Sequence, residues 1–330
     1  MKQLLRFSIL LLALLLPVAA AAYDFEVDGI YYNINGNEAT VTFRGLHSYS
    51  FYNEYSGSVV IPATVTHNGT TYPVTSIGEF AFSECSELTS IDLPNSITEI
   101  GQVAFGDCPG LTSIVIESGN PRYDSRNNCN AIIETANNTL IVGCKNTTIP
   151  NSVTAIGPGA FYGCTGLTSI DIPNSVTAIG HWAFCGCEGL TSIVIPNLVT
   201  EIYDGAFSCC YELRDVYCYI ADLSRVSSGN ELFNLLNFGN YSGRTLHVPQ
   251  GTADAYRADK NWYPYFGQIV EIVSGDVNRD NETNIADVNA TIDIILGGSG
   301  NAGADVNGDG EINIADINAV INIILGGPQN

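Results

Sequence analysis

A chain of 330 residues is long enough for two or three domains of roughly 150 residues each. Lysine and arginine total 12 against 34 aspartates and glutamates, so the formal net charge is −22. This charge excludes a protein that binds nucleic acid by neutralising phosphates, because such proteins need a basic face. Charged residues make up only 14% of the chain and glycines number 33, which favours strands and turns over helical bundles.

Residues 1–22 are predicted to be a secretory signal peptide. Lys2 and Arg6 are followed by an apolar run over residues 7–16 and by a series of alanines that ends at Ala22. A basic start, a short apolar core and small residues before a cleavage point are typical of such signals. The apolar core is too short to span a bilayer comfortably, and no cysteine near the cleavage point offers a lipid anchor. We therefore expect a secreted or extracellular surface protein without membrane insertion.

Residues 23–87 are predicted to form an N-terminal β cap and the first repeat. Apolar and polar residues alternate there around Gly36-Asn37 and Asn68-Gly69. Asn and Gly together favour the tight turns of β-hairpins. Hairpins at this end would cover the first coil of a stacked core.

Residues 88–212 contain an internal repeat. Units that resemble Leu-Thr-Ser-Ile begin at Leu88, Leu111, Leu167, Leu190 and Leu213. Three of the four intervals are 23 residues, and the fourth, of 56 residues, fits one regular unit and one with a ten-residue insertion. A fixed period in the twenties predicts a solenoid of leucine-rich-repeat length, in which each unit buries its apolar side against its neighbours.

The alternation within a unit predicts which side chains face the core. The first, fourth and sixth residues, such as Leu88, Ile91 and Leu93, should point inward along a strand. The second, third and fifth should face outward, and they are Thr89, Ser90, Asp92, Thr168, Ser169, Asp171, Thr191, Ser192 and Val194. An Ala-Phe pair also recurs in register, so we expect an internal ladder of Phe82, Phe105, Phe161, Phe184 and Phe207.

Ten cysteines are many for an exported chain, where disulfides are the first expectation. Five of them share one repeat position, which favours a column of buried free thiols instead: Cys85, Cys108, Cys164, Cys187 and Cys210. Cys129 and Cys144 flank a predicted hairpin around Asn137-Asn138, where a disulfide is one of two open alternatives. The cysteine spacings do not fit a zinc site.

The repeats resemble the BspA-type leucine-rich repeat of bacterial surface and secreted proteins. The resemblance covers roughly residues 23–273, including the inserted unit from Ser118 to Cys144. It implies a curved, mostly β solenoid used for attachment to proteins or host surfaces. It also implies no enzymatic activity and no defined ligand.

Residues 213–274 are predicted to be the C-terminal cap of the solenoid. The segment from Arg244 to Pro249, residues 252–259 and residues 269–273 read as strand, helix and strand. Such an atypical last unit would close the core at this end.

Residues 275–330 are predicted to be a second, acidic domain. They hold nine acidic residues and one arginine, and they contain a duplication offset by 29 residues. Oxygen-bearing side chains fall at positions 1, 3, 5, 9 and 12 of each loop, and position 7 can lend its backbone carbonyl. The predicted ligands are Asp276, Asn278, Asp280, Glu282, Asn284 and Asp287 in the first loop, and Asp305, Asn307, Asp309, Glu311, Asn313 and Asp316 in the second. Hard oxygen ligands at this spacing wrap a calcium ion, so we expect two Ca²⁺ ions.

Each loop leads into a predicted amphipathic helix. Val288, Ile292 and Ile295 share one face of the first, and the second repeats the pattern. Gly297 and Gly326 are expected to stop the helices. Two short helices bury little core, so the ions should be structural.

The duplicated tail resembles a type I dockerin module over about residues 275–327. Aspartate at position 12 follows the dockerin pattern, and position 6 is Asn281 in the first loop and Gly310 in the second. The resemblance implies calcium-dependent docking to a cohesin module of a scaffold or surface protein, commonly in polysaccharide-degrading assemblies. It implies that loop positions 10 and 11 contact the partner, and these are Ile285, Ala286, Ile314 and Ala315.

The sequence leaves three hypotheses for function. The first is a secreted, non-catalytic binding or adhesion protein with a solenoid for a protein or surface ligand and a dockerin for attachment. The second is a component or enzyme of a polysaccharide-degrading assembly. The third is a calcium-stabilised structural protein whose tail packs on its own solenoid. The four histidines lie in no nucleophile pattern and no phosphate-binding glycine loop occurs, so we predict that the protein is not an enzyme.

Overall fold

The N-terminal part of the chain is a set of hairpins. The computed structural model describes residues 23–45, 54–234, 241–280, 282–297 and 302–326, so the predicted signal peptide lies outside it. Six strands come first: β1 (Phe25–Val27), β2 (Ile30–Asn35), β3 (Glu38–Thr42), β4 (Gly57–Val60), β5 (Thr64–His67) and β6 (Thr70–Ile77). β1, β2 and β3 form an antiparallel meander, and β5 and β6 form a hairpin. The predicted turns at Gly36-Asn37 and Asn68-Gly69 connect these strands, and Asn68 and Gly69 have φ values of 50° and 80°.

The repeats form parallel ladders. Their strands are β7 (Leu88–Leu93), β8 (Glu99–Ile100), β9 (Ser113–Ile116), β10 (Tyr123–Asp124), β11 (Ile132–Glu134), β12 (Thr139–Val142), β13 (Ala155–Ile156), β14 (Ala178–Ile179), β15 (Ser192–Ile195) and β16 (Glu201–Ile202). β4, β7 and β9 form one sheet, and paired residues in β7 and β9, such as Ile91 and Ile114, are 23 positions apart. The inserted unit differs, because β10, β11 and β12 pair antiparallel before β12 joins the parallel ladder.

One predicted strand is absent among the described repeats. Leu167, Ile170 and Ile172 are buried as the repeat predicts, yet residues 167–172 form no strand. The backbone hydrogen bond from Thr191 N to Thr168 O measures 3.4 Å, which is long. The apolar stacking of this coil is therefore kept while its strand pairing is lost.

The C-terminal end of the solenoid has the predicted strand–helix–strand order. Its elements are β17 (Asp215–Cys218), β18 (Ser227–Ser228), β19 (Thr245–Val248), helix α1 (Ala253–Ala258) and β20 (Gln268–Glu271). β15, β17, β19 and β20 form a parallel sheet in this order. Trp262 and Tyr256 are fully buried beneath it and contact each other edge to face, with ring centroids 5.2 Å apart.

A ladder of phenylalanines runs through the core, as predicted. Phe82 stacks on Phe105, and Phe161, Phe184 and Phe207 continue the series with centroid spacings of 4.9 and 5.4 Å. The rings are within 6° of parallel because identical repeat positions stack directly on one another.

The ladder is interrupted at the inserted unit. Gly143 N donates to Ala160 O over 2.8 Å, as Phe82 N does to Ala104 O, so Gly143 occupies the position of a phenylalanine. A Cβ atom at Gly143 would lie 2.2 Å from the ring of Phe161, which fills this space. The hydrophobic core accordingly divides into two clusters near this coil.

The five cysteines at one repeat position form a buried column. All ten cysteines are free thiols in this structure, including Cys129 and Cys144, so the alternative of a disulfide between these two is not realised. The thiols of Cys108, Cys187 and Cys210 each donate to the carbonyl of a phenylalanine 26 residues earlier, over 3.0 to 3.2 Å. Burial raises the pKa of the Cys164 and Cys210 thiols to about 12.

Replacing Cys187 with alanine should destabilise the solenoid by about 1 kcal/mol. The side chain is fully buried, so the change leaves a small void. It also removes the hydrogen bond that the thiol donates to Phe161 O. Thermal and urea unfolding of the variant measure the loss. The matched control is Cys185→Ala, since Cys185 is only half-buried. An equal loss of stability for the two variants would contradict the packing role.

The outward face of the strands follows the prediction at most positions. Thr89, Asp92 and Thr168 are exposed. Val194 was predicted to face solvent, and this is wrong, because only 7% of its surface is exposed. It pairs with Tyr217, and the guanidinium of Arg279 from the acidic tail lies 4.5 Å above the Tyr217 ring. The tail therefore rests on this part of the sheet face.

The acidic tail contains two helices, α2 (Ile285–Ile295) and α3 (Ile314–Ile324), which pack against each other. Gly297 and Gly326 follow them with φ values of 103° and 71°, as expected for residues that end a helix. The buried apolar residues in the core of this domain are few and small: Val277, Val288, Ala304 and Val320.

Candidate calcium loops and their contact with the solenoid

The first acidic loop is organised by its own carboxylates. Asp276 Oδ1 accepts a hydrogen bond from Asp280 N at 3.0 Å, and Asn278 Oδ1 accepts from the same N–H at 2.9 Å. Asp280 Oδ1 in turn accepts from Glu282 N at 2.9 Å. Predicted ligand residues thus hold the turns of the loop. Asn281, at position 6 of this loop, lies outside the described residues.

The second loop repeats the hydrogen bonds accepted by positions 3 and 5. Asn307 Oδ1 accepts from Asp309 N, and Asp309 Oδ1 accepts from Glu311 N, both at 2.9 Å. Asp305 Oδ2 accepts from Gly310 N at 3.0 Å. The sequence duplication is therefore matched by the hydrogen bonds of positions 3 and 5, while position 1 accepts from position 5 in the first loop and from position 6 in the second.

Positions 9 and 12 of each loop form the N-terminal cap of the following helix. Asn284 Oδ1 accepts from Ala286 N, and Asp287 Oδ2 accepts from Asn284 N, each at 2.8 Å. Asn313 and Asp316 form the same reciprocal capping box on α3. Asp287 Oδ1 also accepts from Val277 N, so position 12 ties the start of the loop to the helix.

The loops bury acidic groups that require compensation. Asp276, Asp287, Asp305 and Asp316 are each at most 8% exposed. Burial raises the pKa of the Asp305 carboxyl, and its Oδ1 atom is buried without a hydrogen-bond partner. A cation is the partner that such a carboxylate oxygen lacks, so the oxygen-rich donor set fits a hard divalent ion.

The ligand sets themselves stay predictions. Among the described residues, no three Asp, Glu, His or Cys side chains are close enough together to form a metal cluster. The structure brings the side chains of positions 1, 3 and 5 into one hydrogen-bonded turn in each loop, and it uses position 12 to cap the helix.

The tail contacts the solenoid at solenoid residues that sequence reasoning did not single out. Asn197 Nδ2 donates to Asp305 Oδ2 over 2.8 Å, across 108 residues of sequence. A Cβ atom at Gly310 would lie 3.1 Å from Leu198 Cδ1, so this glycine packs closely on the solenoid. From the first loop, Arg279 lies over Tyr217.

Comparisons with known proteins agree with the repeat and with the tail. Residues 44–135 and 136–234 match the family model of the BspA type leucine rich repeat region, which is 191 of the 330 residues. The chain belongs to the BspA-type leucine-rich-repeat family. Residues 274–325 match the dockerin type I domain, so the tail is a type I dockerin. Calcium binding and a cohesin partner follow from the dockerin. A search of curated proteins found no match to this BspA-type protein.

Solved structures similar to this BspA-type protein include leucine-rich-repeat proteins. One from Bacteroides ovatus is 20% identical, with 76% of each chain covered and a TM-score of 0.36. The pneumococcal vaccine antigen PcpA is 15% identical over 78% of this chain and 100% of that chain, with a TM-score of 0.38. A protein from Eubacterium ventriosum is 17% identical over 74% and 83%, with a TM-score of 0.42.

The dockerin leaves its predicted partner-binding positions accessible while it rests on the solenoid. Ile285 and Ile314 are 67% and 71% exposed, Ala286 is half-buried, and Ala315 is exposed. No helix in the described part of the chain has the length and apolar character needed to cross a membrane.

A signal for the contact was present in the repeat. Leu198 stands where two earlier units have Ser96 and Ser175. Val194 gives no such signal, because the unit at Leu111 has Val115 at the same position and Val115 is 44% exposed. An apolar residue in place of a serine at an outward repeat position favours a contact with another part of the molecule.

Proposed function

We propose that this protein is a secreted, non-catalytic binding protein that attaches to a cohesin-bearing scaffold or surface protein through its dockerin. Its solenoid then presents a face to a protein or surface ligand. The observation that carries the proposal is the exposure of Ile285 and Ile314, at 67% and 71%, on a dockerin whose loops contact the solenoid. Large apolar side chains left exposed at equivalent places in two halves fit a protein–protein interface.

The first half of the solenoid is the part proposed to meet the ligand. In the sheet β4–β7–β9, the hydroxyls of Ser58 and Ser90 lie 2.7 Å apart on the outward face. Val60 and Val115 at its rim are 62% and 44% exposed. A shallow face of hydroxyls with a few apolar side chains suits broad contacts with a macromolecule better than a deep pocket suited to a small molecule.

The finer features belong to the same proposal. Each loop would hold one Ca²⁺ ion through its side chains at positions 1, 3, 5, 9 and 12 and the carbonyl of position 7, as in a pair of EF-hand-like loops. The solenoid unit would be 23 residues, which the pairing of Ile193 with Val216 supports. The proposed domains are the signal peptide at 1–22, the cap and first repeat at 23–87, the repeats at 88–212, the C-terminal cap at 213–274 and the dockerin at 275–330.

One observation favours a second candidate, in which the tail serves the stability of its own solenoid and docks to nothing. This observation is the contact of Asn197 with Asp305. The two candidates differ in what the exposed dockerin residues bind. They contact a cohesin in the first candidate and have no partner protein in the second.

Binding of the full chain to immobilised type I cohesins, with calcium and after chelation, tests the proposal. We expect calcium-dependent capture by at least one cohesin. Failure to bind any member of a broad cohesin panel in calcium would favour the purely structural candidate. Incubation with plant and host polysaccharides, followed by product analysis, tests the non-catalytic role, because released sugar would contradict it and favour an enzyme of polysaccharide breakdown.

A further inference from the structure

The second calcium loop has a hydrogen-bond partner outside the dockerin. Asp305 stands at position 1 of this loop, and its Oδ2 accepts from Gly310 N at 3.0 Å and from Asn197 Nδ2 at 2.8 Å. Its other oxygen, Oδ1, is buried and accepts no hydrogen bond. One donor from the loop and one from the solenoid thus occupy one carboxylate oxygen and leave the second for a cation.

The orientation of the Asn197 amide is determined by charge. Turning the amide over would place its carbonyl oxygen against the Asp305 carboxylate, which is repulsive, whereas the observed orientation donates an N–H. Asn197 Oδ1 is buried without a partner, so the hydrogen bond to Asp305 is the interaction that holds this side chain. The amide in turn restrains the rotation of the carboxylate.

The backbone beside this contact is closely packed. Gly310, at position 6 of the loop, has a φ of 89° and lies against Leu198, the neighbour of Asn197. In the first loop, Arg279 at position 4 lies over Tyr217 of the solenoid. Arg279 is not a predicted calcium ligand. The solenoid therefore reaches a predicted calcium ligand in the second loop through Asn197.

We propose that Asn197 is a positioning residue for calcium in the second loop, supplied by the solenoid. This inference rests on the proposed function, in which that loop binds one ion. A group that hydrogen-bonds to a metal ligand orients it, and loss of such a group typically weakens metal binding about 10- to 100-fold. Because binding free energies are reciprocal, calcium in this loop also strengthens the contact between dockerin and solenoid.

Calcium titration of the full chain by calorimetry tests the proposal. Asn197→Ala should weaken one of the two sites about 10-fold and leave the other unchanged. The amide NMR signals of Gly310 and Gly275 assign the sites, because these glycines lie in the second loop and at the start of the first. The Gly310 signal should saturate at higher calcium in the variant, while the Gly275 signal follows wild type.

Two further variants complete the test. Asn95→Ala is the matched control, because Asn95 is exposed at the same repeat position in an early coil and should leave both sites unchanged. Asn197→Gln keeps the amide donor on a longer side chain and should retain more of the calcium affinity of the second site than alanine does. Circular dichroism establishes that each variant is folded. If Asn197→Ala does not fold, an Asn197→Ser variant is titrated in its place.

The outcomes separate this inference from the function on which it rests. Equal calcium affinities for wild type and Asn197→Ala would overturn the positioning role and leave the dockerin function intact. Equal weakening of both sites would also overturn it, because the residue would then act on the fold of the whole dockerin. A wild-type chain that binds no calcium would overturn the proposed function itself.

Discussion

Removal of calcium is expected to unfold residues 275–327 while the solenoid stays folded. Helices α2 and α3 are 11 residues each, which is too short for stability on their own in water. The core between them is small, and it adjoins the buried carboxylates of Asp305 and Asp316, which repel each other without a cation. We therefore expect calcium to contribute a large part of the folding free energy of this domain.

Far-UV circular dichroism before and after chelation measures this effect. The helical signal should fall and should return when calcium is restored. The buried thiol column is the control for the solenoid, because Cys187 stays slow to react with thiol reagents only while the repeats remain stacked. An unchanged spectrum after chelation would contradict a structural role for the ions, and fast labelling of Cys187 would contradict the independence of the solenoid.

Stacking explains why the solenoid could be predicted from the sequence. Identical positions in successive coils contact one another, so a residue that recurs every 23 positions, such as Phe184 and Phe207, must meet its own copy. The ladder is interrupted where that recurrence fails. Gly143 occupies a phenylalanine position inside the inserted unit, and the shift in register within that unit concealed its role.

The loops were predictable for a different reason, which is that their chemistry is local. Oxygen-bearing residues at fixed offsets within twelve positions define a loop, and Asn284 with Asp287 caps the next helix within the same stretch. The contact of Asn197 with Asp305 joins residues 108 positions apart, and no local rule connects them. Its signal in the sequence was Leu198 in place of the serine of earlier units, which favours a contact at this position but does not identify the contacting residue.

The dockerin is also expected to bind its cohesin in either of two orientations. The segments around Ile285-Ala286 and Ile314-Ala315 are nearly identical in sequence, and Ile285 and Ile314 are almost equally exposed. Either half can therefore present the same surface to the partner. Ala286→Asp alone or Ala315→Asp alone should weaken binding only slightly, because the other half remains usable.

The variant that combines Ala286→Asp with Ala315→Asp should lose cohesin binding, because an unpaired charge in an apolar contact costs several kcal/mol. Aspartate in the first turn of a helix interacts favourably with the helix dipole, so the change should not disturb α2 or α3. Calorimetry with a cohesin in saturating calcium measures the binding, and Ala286→Ser with Ala315→Ser is the uncharged control of similar size. Loss of binding from either single change would show that one orientation dominates, because the two halves would then not be interchangeable.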